Sequence, residues 1–162
     1  MTTPPLLLSS CARASTAAET RHRVDVPIAP ARGARVIALD EGAAAVAERA
    51  AALPWTSARF FLGRCDLDGL RLSGIGGAPA DLGEQLVDAD VVVMIATSDA
   101  GATCAYELGR ACWERSIMTA GLVLGDGTAA QQAVAALRPH ARVLLPSADE
   151  TDVVELLTAL RV

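Results

Sequence analysis

The chain alternates short unbroken apolar runs with longer stretches of helical spacing. The plainest run is Val91–Ala96, VVVMIA, which has no polar position. A strand that is apolar at every residue has both faces covered, as a central strand of a parallel sheet does when crossover helices flank it. Residues 35–39 (RVIAL) and 57–62 (SARFFL) predict two strands before it, and 120–125 (AGLVLG) and 142–145 (RVLL) two after it. Helical stretches lie between them: 43–53, ended by Pro54; 82–89, behind a cap at Asp81; a long helix after the turn at 97–104; and 129–137, between Thr128 as cap and Pro139 as stop. A final helix at 150–160 carries Val153, Val154, Leu157 and Leu160 on one face. This alternation predicts an α/β fold, a single-domain, Rossmann-like, three-layer open sheet that is mostly parallel.

The remaining stretches are less regular. Residues 1–23, rich in Ser, Thr, Ala and Pro, read as a loose leader, and 24–29 as a short edge strand broken by Pro27. Residues 63–73 read as a polar connection holding Asp66 and Asp68, followed by the glycine-rich loop GIGGAP at 74–79. One domain then occupies 24–162.

In open α/β sheets a ligand sits outside the carboxyl ends of the strands, against the first amides of a following helix. Two turns fall at such places. One is TSDAGATC at 97–104, where Thr103 is also placed to cap the helix. The other is Asp40-Glu41-Gly42, which stands where a phosphate-binding GxGxxG would be expected. Two carboxylates there repel a nucleotide unless a metal intervenes. They could hold a divalent cation; a solvated turn is the plainer reading.

Composition narrows the chemistry further. The chain has no Lys and no Asn, so a Walker phosphate loop and a Schiff base, both of which need lysine, are excluded. A net charge of −5 without a basic stripe speaks against nucleic acid. Cys11, Cys65, Cys104 and Cys112 lack paired CxxC spacing, and His22 and His140 stand alone, so no metal site is expected. On one helix Cys104 and Cys112 would lie about 12 Å apart, too far for a disulfide, and read as reduced packing residues of a cytoplasmic protein. The apolar runs are strand-length, and LLLSSC at 6–11 lacks the basic start of an export signal, so neither a membrane span nor export is expected.

The order of segments resembles the nucleotide-binding half of the FtsZ/tubulin family over residues 35–154. RVIALDEGAAAVAERA falls where the family has its first strand, glycine turn and helix. ARFFLGRCDLDGLRLS follows as the strand with its NTDxxxL segment, and GIGGAPADLG as the GxGxxPxxG loop. DADVVVMIATSDAGATCA is placed like ADMVF…GGGTGTGA, SIMTAGLVL like the LTxGVV strand, and ALRPHARVLLPSAD like the segment ending in IPND. The resemblance implies a nucleotide or anion site built from Gly42, Gly74, Gly76, Gly77, Gly101, Ala102 and Thr103. The departures are chemical: most phosphate-loop glycines are replaced, Asp99 adds negative charge, and the guanine-reading asparagines are absent. GTP is therefore not the favoured ligand, GTP hydrolysis is not expected, and no cofactor is assigned. The resemblance covers the family's first domain, and no counterpart of its second is expected. The expectation is a binding or assembly module with a degenerate site, pairing as a homodimer through the outer side of the last helix or engaging a protein partner.

A second resemblance places Glu107 differently. ADVVV followed by DAGATCAYELGRA is loosely similar to nucleoside deoxyribosyltransferases, in which a glutamate just inside such a helix is the nucleophile. That reading makes the chain a small enzyme acting on nucleosides or nucleotides. The simpler alternative has Glu107 pairing on the helix surface with Arg110 or Arg115. A third reading keeps the site as a nucleotide sensor. Against all of these, the glycine loops can be no more than tight βα turns.

Overall fold

In the computed structural model, which describes residues 33–162, all five strands expected from residue 35 onward form, together with two more. The leader at 1–23 and the edge strand at 24–29 lie outside the described residues. The order is β1 (Ala34–Ala38), α1 (Glu41–Ala51), β2 (Ala58–Asp66), β3 (Gly69–Gly74), β4 (Pro79–Ala80), α2 (Leu82–Val87) and β5 (Val91–Ala96). Then come α3 (Ala102–Glu114), β6 (Met118–Leu124), α4 (Gln131–Leu137), β7 (Val143–Ala148) and α5 (Glu150–Ala159), with single 3₁₀ turns at Asp99–Gly101 and Thr128–Ala130.

The strands make one sheet in the order β4-β3-β2-β1-β5-β6-β7. β2, β1, β5, β6 and β7 are parallel, β3 runs against them, and the two-residue β4 turns back antiparallel to β3. Leaving out β4, this is the doubly wound order 3-2-1-4-5-6 with its third strand reversed. The chain moves outward from β1 in one direction and from β5 in the other. Right-handed crossovers in opposite directions put their helices on opposite faces. Accordingly α1 packs with α5 over Val36, Val93, Ile95 and Leu122, while α2, α3 and α4 pack over Ile37, Val92 and Met94. β5 is buried along its whole length, as its unbroken apolar run predicts. Each of its larger side chains contributes about 1.5–3 kcal/mol by leaving water.

The alanine-rich helix α1 lies close to the sheet through Ala43, Val46, Ala47 and Ala50. It starts earlier than its apolar pattern indicates, because Asp40 caps it. Arg49 on α1 bonds both carboxylate oxygens of Glu150 on α5, at 2.7 and 2.9 Å, tying together the two helices of that face. At the start of β1, Arg35 is almost wholly buried. Its Nε donates to the Gln85 carbonyl at 2.8 Å, which anchors the end of α2.

Three local expectations are corrected. Residues 63–73 are not a connection: β2 continues to Asp66, and a tight turn with Gly69 at φ 111° sends the chain back as β3. Arg71 bridges Asp66 at 3.1 Å and Asp68 at 2.7 Å, so these carboxylates fix a hairpin turn. Thr128 does not cap α4. Its hydroxyl donates to Asp126, and the amides of Gln132 and Ala133 are taken instead by Asp99 at 2.7 and 3.1 Å. On α5, Val153 and Leu157 are buried against the sheet and Val154 and Leu160 are partly covered, leaving Glu155 and Thr158 outward. No large apolar residue of α5 is exposed, so the dimer expected through that helix has no apolar patch there. The exposed large apolar side chains include Trp113, Val87 and Met118, at the opposite end of the sheet from its carboxyl ends. No helix among the described residues is long and apolar enough to cross a membrane.

Candidate functional site

β1 and β5 are adjacent and parallel, and the turns that leave them diverge to α1 on one face and α3 on the other. Both turns place backbone amides at the carboxyl ends of these strands, where an anion would bind. One protein side chain occupies the position between them. The Asp40 carboxylate accepts from the Ala43 amide at 2.9 Å, the Thr97 amide at 2.7 Å, the Ser98 amide at 3.1 Å and the Thr97 hydroxyl at 2.6 Å. Burial pushes this carboxyl up, but the Thr97 hydroxyl and the three amides outweigh it and hold Asp40 below the usual aspartate range. The solvated turn expected here is therefore a half-buried, fully engaged carboxylate. A cation at Asp40 and Glu41 would have to compete with those four donors. Among the described residues no three His, Cys, Asp or Glu side chains stand together as metal ligands.

Two of the predicted site glycines make this arrangement possible. A Cβ on Gly42 would collide with the Thr97 hydroxyl, the donor that holds Asp40. A Cβ on Gly101 would lie 2.7 Å from the Leu39 Cβ and 3.0 Å from the Leu39 carbonyl oxygen. Gly42 and Gly101 thus let the two turns touch. Ala102 and Thr103 follow in the first turn of α3, Ala102 half-buried and Thr103 exposed. Thr103 does not cap the helix. Gly101 is at the cap position, and the Ser98 hydroxyl accepts from the Ala100 amide at 3.4 Å in the preceding 3₁₀ turn.

Gly74, Gly76 and Gly77 are elsewhere. They form the turn from β3 to β4, and because β3 runs antiparallel that turn points toward the amino-terminal end of the parallel strands. β2 and β1 separate it from β5. The structure therefore brings Gly42, Gly101, Ala102 and Thr103 to one end of the sheet and leaves the GIGGAP glycines at the other.

Beside the Asp40 knot lies an open crevice of about 320 Å³, at the lower end of the usual size for small-molecule sites. Its walls include Leu39, Asp40 and Glu41 from the first turn, Arg64 and Cys65 from β2, and Cys104 from α3. Glu107 is half-buried one turn beyond Cys104 and is not among the lining residues. It does not pair with the arginines expected for it: Arg110 reaches Glu114 at 3.4 Å, and Arg115 donates to the Ala111 carbonyl at 3.0 Å. Its charge acts instead on Cys65. Cys65 from β2 and Cys104 from α3 line this crevice together, and Cys65 packs against the apolar cluster that contains Cys104. Burial raises the Cys65 thiol, as do the nearby carboxylates of Glu107 and Asp66, and burial raises Cys104 much further. Cys112, deeper under α3, is pushed up to about 12 by burial.

Reading the sequence alone missed both the Asp40 knot and the thiol pair. Asp40 carried a local signal, an aspartate one residue before an alanine-rich helix. Its link to Thr97 and the meeting of Cys65 and Cys104 in one crevice each join residues far apart in sequence, and only the packing of the strands creates them.

The sheet and its switch-point crevice place the chain among α/β proteins built on one mostly parallel sheet, an arrangement compatible with the Rossmann-like class. The chain matches no protein-family model and no curated protein.

Proposed function

We propose that the chain is a non-hydrolytic binding or assembly module of FtsZ/tubulin-like design whose phosphate cradle is filled by its own Asp40. The observation that carries this reading is the set of four donors converging on that carboxylate. Three of them are the backbone amides that would otherwise face a phosphate. An incoming phosphate must expel a half-buried carboxylate from its hydrogen bonds while being repelled by its charge, and Glu41 adds a second charge beside it. The neighbouring crevice, with Glu41 and Arg64 at its walls, is left to take a small polar ligand or a side chain of a partner, including a second copy of this chain. The enzyme reading through Glu107 gains no support from a residue outside the crevice.

Thermal melts with GTP, GDP and Mg²⁺ test the filled cradle. A ligand at a hundred times its Kd adds about 2.7 kcal/mol, several degrees in a domain of this size. No shift is expected, and a rise that depends on GDP would overturn the reading. The assembly part is tested by sedimentation at tens of micromolar, where a closed pair is expected and a lone monomer would refute it.

A further inference from the structure

The crevice holds chemistry that binding does not use, namely two thiols that line it from different elements. Cys65 comes from the far end of β2, just before the exposed hairpin turn at Leu67, and is partly accessible. Cys104 comes from the first turn of α3 and is buried. Both line the same crevice, and Cys65 packs against the apolar cluster that contains Cys104. A partly accessible thiol backed by a buried one is the arrangement of an attacking and a resolving cysteine.

We propose that Cys65 and Cys104 are a redox pair that closes to a disulfide by exchange with small-molecule disulfides, pinning the end of β2 to the start of α3 across the crevice. The accessible Cys65 sulfur attacks one sulfur of the oxidant RS–SR. A mixed disulfide Cys65–S–SR forms and one RSH departs, carrying the first thiol proton. The Cys104 sulfur then attacks the Cys65 sulfur, the Cys65–SR bond breaks, and a second RSH leaves with the other proton. The protein loses two hydrogens and two electrons, and the oxidant is reduced to two thiols. Burial raises both thiols, and the carboxylates of Glu107 and Asp66 raise Cys65 further, so the exchange is slower than that of a low-pKa cysteine. This pair does not depend on the reading of the Asp40 cradle.

The test is incubation of the full chain with glutathione disulfide, followed by intact mass and peptide mapping without reduction. The expected product has lost two hydrogens, and its one cross-linked peptide pair joins Cys65 to Cys104 and is released by a reductant. Cys104→Ala is expected to stop at a glutathione adduct on Cys65, and Cys65→Ala to form neither the adduct at that position nor the cross-link. The wild-type mapping needs no variant, so poor folding of either substitution leaves the test intact. Wild-type protein that stays fully reduced through prolonged excess oxidant, stops at the mixed disulfide, or cross-links through Cys11 or Cys112 instead would overturn the proposal.

Discussion

Two glycine-rich turns that look alike in sequence do opposite work in the structure. Around Asp40, Gly42 and Gly101 are contact glycines: each faces atoms of the other turn, and an added Cβ has no room. In GIGGAP nothing lies within 4 Å of a Cβ built on Gly76 or Gly77, and only Gly77, at φ 85°, needs glycine for its backbone. The first turn uses glycine for close approach, the second for conformational freedom. A shared wealth of glycine therefore does not by itself indicate a shared ligand. What distinguishes the first turn is the convergence of two strand ends on a single carboxylate.

The largest break in this contrast is expected from Gly101→Val. The new side chain meets the Leu39 backbone, which belongs to the sheet end and cannot rotate away. A loss of about 3 kcal/mol is expected, read as a lower urea midpoint with an unchanged slope. A near-neutral variant would show that the two turns are not pressed together.

Removing the carboxylate comes next. Asp40→Ala takes away the cap of α1 and strands the amides of Thr97 and Ser98, an expected cost of about 2 kcal/mol by urea unfolding at neutral pH. Because folding depresses the Asp40 pKa, its contribution is present above the ordinary aspartate value of about 3.9 and is lost as pH falls through the lower folded value. The stability gap between wild type and Asp40→Asn should therefore narrow from about pH 5 to about pH 3. A gap that stays constant across that range would mean that folding does not shift the Asp40 pKa.

The smallest effects belong to the second turn. Gly76→Ala, in open space and at ordinary φ, should change stability by less than about 0.5 kcal/mol. Gly77→Ala should cost about 1 kcal/mol for its left-handed backbone. If Gly76→Ala proved as damaging as Gly101→Val, the distinction between the two turns would fail.

The five parallel strands were legible in the chain. VVVMIA has to be a doubly covered strand, the apolar runs on either side of it alternate with helices, and Asp81, Pro54 and Pro139 punctuate those helices where the structure ends or begins them. These are local signals, set by the period of burial and by backbone chemistry. The β2–β3 hairpin was also local, in the turn Asp66-Leu67-Asp68-Gly69 and the alternation at Leu70 and Leu72, but the surrounding polar residues masked it. Tertiary structure alone decided the site. Reversing β3 carried Gly74, Gly76 and Gly77 to the wrong end of the sheet for a shared cradle, and setting β1 beside β5 brought Asp40 under the amides of Thr97 and Ser98. The same packing brought Cys65 and Cys104 to one crevice. Neither pairing leaves a periodic trace in the chain, because the strands that create them are neighbours only after the crossovers have been made.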